Sequence, residues 1–185
     1  TNRLACDVRS FHIDNNPANG FADIAVKIPS VSASSDTTIY VWYDKAGASQ
    51  PAASDTYGRY NAYDSNYSAV WTFGEDPSGG APQFLDRTSG SSNGTSQGGM
   101  TAGDRVDGVA GQALDFDGTD DAVSVTSAAG LDVQDAAERT VSMCLKWNGD
   151  QDKPNDRQYI WDNRGVVNED AADDDGYLFL IDEPG

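Results

Sequence analysis

Residues 111–126, G-Q-A-L-D-F-D-G-T-D-D-A-V-S-V-T, constrain the fold of this chain more than any other stretch. Two short runs, 113–116 and 122–126, carry an apolar side chain at every second position and flank the sequence D-G-T-D-D. Such alternation is typical of half-buried strands, and an Asp-Gly dipeptide between two of them is a strong hairpin signal. The stretch therefore predicts a β-hairpin within an all-β fold.

Four aspartates, Asp115, Asp117, Asp120 and Asp121, crowd this turn. Two interpretations stay open. The turn is either a plain acidic hairpin tip or a calcium-type site, since Ca²⁺ is a hard cation that binds oxygen ligands. In the second case the candidate ligands are Asp117, Asp120 and Asp121, with Asp86 of the D-R-T-S-G loop as a fourth.

Three blocks in this order resemble laminin-G-like, concanavalin-A-like jelly-roll modules of bacterial, archaeal and viral surface proteins. They are A-V-W-T-F-G-E at 69–75, the hairpin block above, and T-V-S-M-C-L-K-W at 140–147. The resemblance implies an antiparallel β-sandwich over residues 67–185 that ends before the last strands of the family. Residues 74–109 are expected to form a long polar loop, and 158–162 and 177–181 two further strands. The side chains expected in the core are Trp71, Leu114, Phe116, Val123, Val125, Val141, Met143 and Leu145.

Residues 1–66 carry three further runs that predict strands, at 1–13, 22–28 and 37–43. In the first run Cys6 and Val8 are expected inward and Asp7 outward, and in the second Ile28 is expected inward. The third, T-T-I-Y-V-W-Y, is β-branched and aromatic throughout, so it is expected to be a central strand buried on both faces.

The stretch V-K-I-P-S-V-S-A-S-S-D-T-T-I-Y-V-W-Y resembles the second half of a small β module of unknown function (the DUF2341 type), which often precedes laminin-G-like jelly rolls. The resemblance implies a smaller β module over residues 1–66, without the upstream strands of that family. We therefore expect neighbouring subunits or flanking domains to cover the sheet edges at both ends of the chain, because exposed edges associate.

The connector at 44–66 carries Tyr57, Tyr60 and Tyr63. One interpretation is that these rings pack the connector onto the sandwiches, because aromatic side chains bury much area. The other is a stacking platform for sugar rings, because loops on rigid scaffolds commonly carry binding residues. The three tyrosines are therefore the candidate glycan-binding residues.

The net charge is −18, with 26 Asp against 4 Glu, which disfavours nucleic acid and anionic membrane as partners. No apolar run approaches the ~20 residues of a membrane helix, so membrane insertion is not expected. The excess of Asp favours turns and cation ligation, and it is also typical of a marine or halophilic protein. Cys6 and Cys144 are interpreted as buried thiols rather than as a disulfide.

Catalysis is not expected. Retaining glucanases of this fold use paired Glu residues, whereas the Glu residues here are scattered, and the single histidine, His12, belongs to no catalytic motif. The predicted function is a non-catalytic adhesion or glycan-binding module, calcium-assisted, at an extracellular, cell or virion surface. The alternative is an assembly module of a virion (a decoration or fibre protein) or of an extracellular filament. A fragment of a polysaccharide-active enzyme is the weaker third interpretation.

Overall fold

The computed structural model describes residues 2–12, 20–126, 131, 138–147, 158–162 and 178–181. These residues contain β-strands, two three-residue 3-10 helices and no α-helix, which confirms the all-β prediction. None of the helices in this part of the chain has the length and apolarity needed to cross a bilayer. The strands are β1 (Cys6–His12), β2 (Phe21–Val26), β3 (Gly94–Gln97), β4 (Arg105–Asp107), β5 (Gln112–Leu114), β6 (Ala122–Val125), β7 (Gln158–Asp162) and β8 (Leu178–Ile181), and the 3-10 helices are Arg59–Asn61 and Ala102–Asp104.

Within the described ranges, the strands pair as four antiparallel two-stranded sheets, β1–β2, β3–β6, β4–β5 and β7–β8. The alternating runs at both ends of the chain therefore predicted β1, β2, β7 and β8 correctly. Register shifts interrupt two ladders, one between Val8 and Ser10 in β1 and one between Tyr159 and Trp161 in β7. The sequence at 131–139, L-D-V-Q-D-A-A-E-R, predicts a single helical turn between strands, and most of it (132–137) lies outside the described residues.

The predicted hairpin at 111–126 is wrong in its pairing. Strand β5 pairs with β4, and β6 pairs with β3 instead of with β5. A tight turn closes the β4–β5 pair, in which the N–H of Gly108 donates to the carbonyl of Gly111 at 2.9 Å and Gly111 has a φ of +82°. Glycine at position 94 allows β6 to approach β3, because an added Cβ there would lie 2.8 Å from Cγ1 of Val123.

The expectation of a long polar loop at 74–109 is also wrong, because β3 and β4 lie inside it. The sequence of β3, G-T-S-Q, lacks the apolar alternation by which a strand is found. Its strand conformation depends on the ladder with β6, in which Thr95 pairs with Ser124, 29 residues further along the chain. Pairing with a distant partner, rather than local sequence, therefore makes β3 a strand.

The buried apolar side chains of the described residues include Phe84, 0% exposed, Met100, 5% exposed, and Pro77. The backbone of Phe84 exchanges hydrogen bonds of 3.0 and 2.7 Å with Gly94, and its ring packs edge-to-face on Phe73 at 5.4 Å. The core prediction is wrong for Phe116, which lies beyond the end of β5 and is 48% exposed. It is also wrong for three side chains of the exposed 141–147 segment, which forms no strand, whereas four predicted core residues are half-buried: Trp71, Leu114, Val123 and Val125.

The predicted central strand at 37–43 is wrong as well. These residues form no ladder with any described strand, and Trp42 is 88% exposed. Ile28, expected inward, follows the end of β2 and is exposed. A strand with two apolar faces becomes central only when strands lie on both of its edges, and the described part of the chain supplies none.

Both cysteines are free thiols, Cys6 half-buried and Cys144 exposed. The expectation of a buried thiol is therefore wrong for Cys144, because the segment that carries it is not packed into a sheet in the described structure.

Candidate functional site

The carboxylates of Asp117, Asp120 and Asp121 converge on the turn between β5 and β6. One carboxylate oxygen from each lies within 4.8 Å of the other two, and no other such group of His, Cys, Asp or Glu occurs among the described residues. Asp117 and Asp120 are exposed and Asp121 is half-buried. The turn thus brings together three carboxylate oxygens that could bind a metal ion.

Backbone hydrogen bonds hold this turn in place. Oδ1 of Asp117 accepts the N–H groups of Thr119 at 2.8 Å and Asp120 at 3.3 Å, and Oδ2 of Asp121 accepts the N–H of Asp117 at 3.0 Å. The N–H of Thr119 is the main cause that lowers the pKa of Asp117 below its usual value. The Asp117 carboxylate is therefore ionised at neutral pH.

A glycine outside the turn fixes its position. Gly98, which follows β3, has a φ of +82°, and an added Cβ there would lie 2.6 Å from the backbone nitrogen of Asp121. The backbone of residue 98 therefore lies directly against the Asp120–Asp121 peptide, an approach that only glycine permits. The cluster of three carboxylates therefore lies between the β5–β6 turn and the end of β3.

Asp86, the fourth candidate ligand, lies in a different environment and is not a member of this group. It is 2% exposed, and its carboxylate accepts four hydrogen bonds from the backbone N–H groups of Val70 (3.2 Å), Thr88 (2.9 Å) and Ser92 (3.0 Å) and from the Thr88 hydroxyl (2.9 Å). These four donors satisfy the hydrogen-bonding capacity of the carboxylate oxygens. In this structure Asp86 ties the 86–92 loop to residue 70.

The three candidate glycan-binding tyrosines are all half-buried. The Arg3 guanidinium lies 5.1 Å from the ring centre of Tyr57, and the Arg59 guanidinium lies 5.2 Å from that of Tyr60. The hydroxyl of Tyr63 donates to Oδ2 of Asp7 at 3.0 Å. The structure therefore gives each of the three tyrosines a partner within the chain.

A buried ion pair between Asp7 and Arg87 was not predicted. Asp7 is 1% exposed, which corrects its expected outward position. Arg87 binds it with two hydrogen bonds, Nε to Oδ2 at 3.0 Å and Nη2 to Oδ1 at 2.5 Å, and Nη2 also donates to the carbonyl of Val8 at 3.2 Å. Alternation separated Asp7 from Cys6 and Val8, but it could not reveal that a cation 80 positions away covers this side of β1.

The groups around this pair favour the charged form of Arg87 and the neutral form of Tyr63. Burial by itself lowers the pKa of Arg87, but the hydrogen bonds and charge of Asp7, together with Glu75 at 3.5 Å, raise it above its usual value. Burial first, and then the negative charge of Asp7, raise the pKa of Tyr63. Arg87 is therefore charged and Tyr63 protonated at neutral pH, and the cluster joins the predicted 1–66 module to residues after 66.

Comparisons with protein-family models, curated proteins and solved structures find no match to this chain. The laminin-G-like and DUF2341-type resemblances of the sequence blocks therefore stay predictions.

Proposed function

We propose that this chain is a non-catalytic binding module of an extracellular, cell-surface or virion-surface protein, in which a calcium ion organises a turn beside a glycan or cell-surface ligand. Its architecture would be a jelly-roll sandwich over residues 67–185 preceded by a smaller β module over 1–66. The observation that carries the proposal is the convergence of Asp117, Asp120 and Asp121 within 4.8 Å on an exposed turn.

The charge balance at the turn supports a cation. Three carboxylates at this separation repel one another, and a divalent cation with a preference for oxygen offsets that repulsion. Calcium takes about 6–8 oxygen ligands at about 2.3–2.6 Å, so backbone carbonyls and water would complete its shell. The hydrogen bond from Thr119 favours the charged form of Asp117, which is the form that binds a metal.

The calcium site is tested by thermal denaturation with millimolar calcium and with EDTA. Calcium is expected to raise the melting temperature of the wild-type chain, because a ligand that binds only the folded state stabilises it. Asp117→Asn and Asp120→Asn are expected to abolish that rise. Asp115→Asn is the matched control, since Asp115 is an exposed aspartate of the same turn outside the carboxylate group. If calcium shifts the two site variants as much as the wild type, the site does not exist.

Ligand binding is tested with a glycan array read with and without EDTA. The wild-type chain is expected to bind glycan and to lose that binding in EDTA, whereas Asp117→Asn is expected not to bind glycan in either condition. Tyr57→Ala and Tyr60→Ala test whether the connector tyrosines contribute contacts, since neither aromatic ring is fully buried. Release of reducing sugar from a bound polysaccharide would contradict the non-catalytic part of the proposal.

A second candidate function is assembly, in which the chain is a subunit of a virion or an extracellular filament. The observation that favours it is the exposure of two apolar segments, 37–43 and 141–147, neither of which forms a ladder with a described strand. Exposed segments of this composition associate with other strands. A mass by light scattering above that of one chain is expected for this candidate, and a stable monomer would contradict it.

A further inference from the structure

The sequence contains two N-x-S/T triplets, which are acceptor motifs for N-linked glycans in secreted proteins. They are Asn66-Tyr67-Ser68 and Asn93-Gly94-Thr95, and neither has Pro in the middle position. The motif is the same in both, so a difference in their use has to come from how the folded chain presents each asparagine.

Asn66 lies on an exposed turn. The N–H of Tyr67 donates to the carbonyl of Asp64 at 3.2 Å, and the N–H of Asn66 donates to Oδ1 of Asp64 at 2.9 Å. These bonds make Asn66 the third residue of a β-turn, and residues 64–67 are all exposed. Within the described part of the chain, the side-chain amide of Asn66 takes part in no hydrogen bond. An enzyme can therefore bind this amide without breaking a bond of the fold.

The side chain of Asn93, in contrast, is part of the fold. Its Oδ1 accepts the backbone N–H of Asp86 at 2.8 Å. Asn93 is half-buried, and both of its neighbours in the chain, Ser92 and Gly94, are buried. Withdrawing the Asn93 amide would leave the N–H of Asp86 without its acceptor, and a buried donor without a partner is costly.

The hydroxyl residues of the two triplets differ as well, although both are half-buried. Thr95 belongs to β3 and pairs with Ser124 of β6, so an enzyme that binds this triplet has to open the ladder. Ser68 belongs to no strand. Its hydroxyl accepts a hydrogen bond of 3.2 Å from the exposed guanidinium of Arg139, a surface contact that water can replace.

We propose that Asn66 is an N-glycosylation site of the folded chain and that folding protects Asn93 from the same modification. The donor is an oligosaccharide linked to a polyprenyl pyrophosphate, and an oligosaccharyltransferase carries out the transfer. The amide nitrogen of Asn66 bonds to the anomeric carbon of the first sugar. The bond between that carbon and the pyrophosphate oxygen breaks, the lipid pyrophosphate leaves with the electron pair, and the amide gives up one proton.

This inference goes beyond the proposed binding function and needs neither the calcium site nor assembly. It shares with them only the surface location, because N-linked glycans are carried by secreted and surface-exposed proteins. Asn66 is the last residue of the connector, and the ring of the adjacent Tyr67 is 55% exposed. A glycan at this position would cover an exposed ring with a hydrated, solubilising group.

Transfer to the purified, folded 185-residue chain tests the proposal. The chain is incubated with an oligosaccharyltransferase and its lipid-linked oligosaccharide, and intact mass and peptide mapping show how many glycans are added and where. The folded wild-type chain is expected to gain one glycan, at Asn66. A tryptic digest is the control, because cleavage after Arg59, Arg87 and Arg105 gives peptides 60–87 and 88–105 with one triplet each. Both peptides are expected to be modified, since no fold protects them.

Three results would overturn the proposal. The first is equal occupancy of Asn66 and Asn93 in the folded chain. The second is a folded chain that gains no glycan while peptide 60–87 does. The third is a peptide 60–87 that is itself not modified, because the sequence around Asn66 would then not be an acceptor.

Variants locate the site. Asn66→Gln and Ser68→Ala are each expected to abolish the added mass, whereas Ser68→Thr, which keeps the hydroxyl, is expected to retain it. Thr95→Val is the matched control, because it removes the hydroxyl of the other triplet and keeps a β-branched side chain in β3; it is expected to gain the wild-type glycan. Asp117→Asn is also expected to gain it, so failure of the calcium site and failure of this site are distinguishable. A glycan that persists in Asn66→Gln would contradict the assignment.

Discussion

Two aspartates at turns of this molecule, Asp86 and Asp117, have opposite environments. Asp86 is buried, and three N–H groups and a hydroxyl fill its carboxylate. Asp117 is exposed, and two further carboxylates lie beside it. A buried carboxylate is stable only when donors or a cation satisfy it, whereas an exposed cluster keeps oxygens available. The comparison shows that burial decides whether the oxygens of an aspartate in this acidic chain are filled by donors of the chain itself or stay open to solvent.

The largest expected effect lies at Asp7, the other buried carboxylate. Arg87→Met leaves Asp7 buried without its cation and is expected to cost about 3–5 kcal/mol of stability in urea denaturation. Arg105→Met is the control, because the Arg105 guanidinium is exposed and donates to the carbonyl of Gly74 at the surface. Equal losses for the two variants would show that the buried pair contributes nothing specific.

Asp86→Ala tests the comparison directly. It removes the acceptor for four donors, and the expected loss of stability is about 1–3 kcal/mol, because buried donors left without a partner keep their desolvation penalty. Asp117→Ala, measured in the same titration without calcium, is expected to lose clearly less, because water replaces its bonds. If Asp117→Ala proves the more destabilising of the two, the assignment of structural and binding roles is reversed.

The smallest effect is a pH dependence at Tyr63. Burial and the Asp7 carboxylate raise the pKa of this phenol above its usual value of about 10. Below pH ~10 the phenol is protonated in both the folded and the unfolded state, so its contribution to the free energy of unfolding is fully present. That contribution is lost as the pH rises above ~10, because the unfolded state then ionises more readily than the folded state. Tyr63→Phe is expected to weaken the alkaline loss seen in a series of denaturation curves. Tyr43→Phe, at an exposed ring, is expected to retain it.

The predicted core differs from the observed core because the burial of a side chain depends on which other residues pack against it. Alternation located Phe116 and Val141 as apolar positions, but it carried no information on what lies against them, and both are exposed. Phe84, the most buried apolar side chain of the described residues, occupies no alternating run. Its burial depends on the bridge to Gly94 and on the ring of Phe73. Neither contact can be predicted from the local sequence pattern.

The candidate metal site could be predicted because its three carboxylates lie within five residues of one another in the chain. The local turn bonds of Asp117 suffice to bring them together. Asp86 could not be placed by the same reasoning. Its donors come from both sides of its loop, and their number, rather than the loop sequence, makes it unavailable as a ligand.

The all-β class, the positions of β1, β2, β7 and β8, and the acidic turn at Asp117 can be predicted from the sequence. Each of these depends on side-chain alternation or turn bonds between residues close in the chain, which are local properties. The strand state of β3, the burial of Asp7 by Arg87 and the exposure of the 37–43 segment depend instead on the folded chain. These depend on which distant groups supply a ladder, a counter-charge or a covering surface, and such partners are set by the folded chain as a whole.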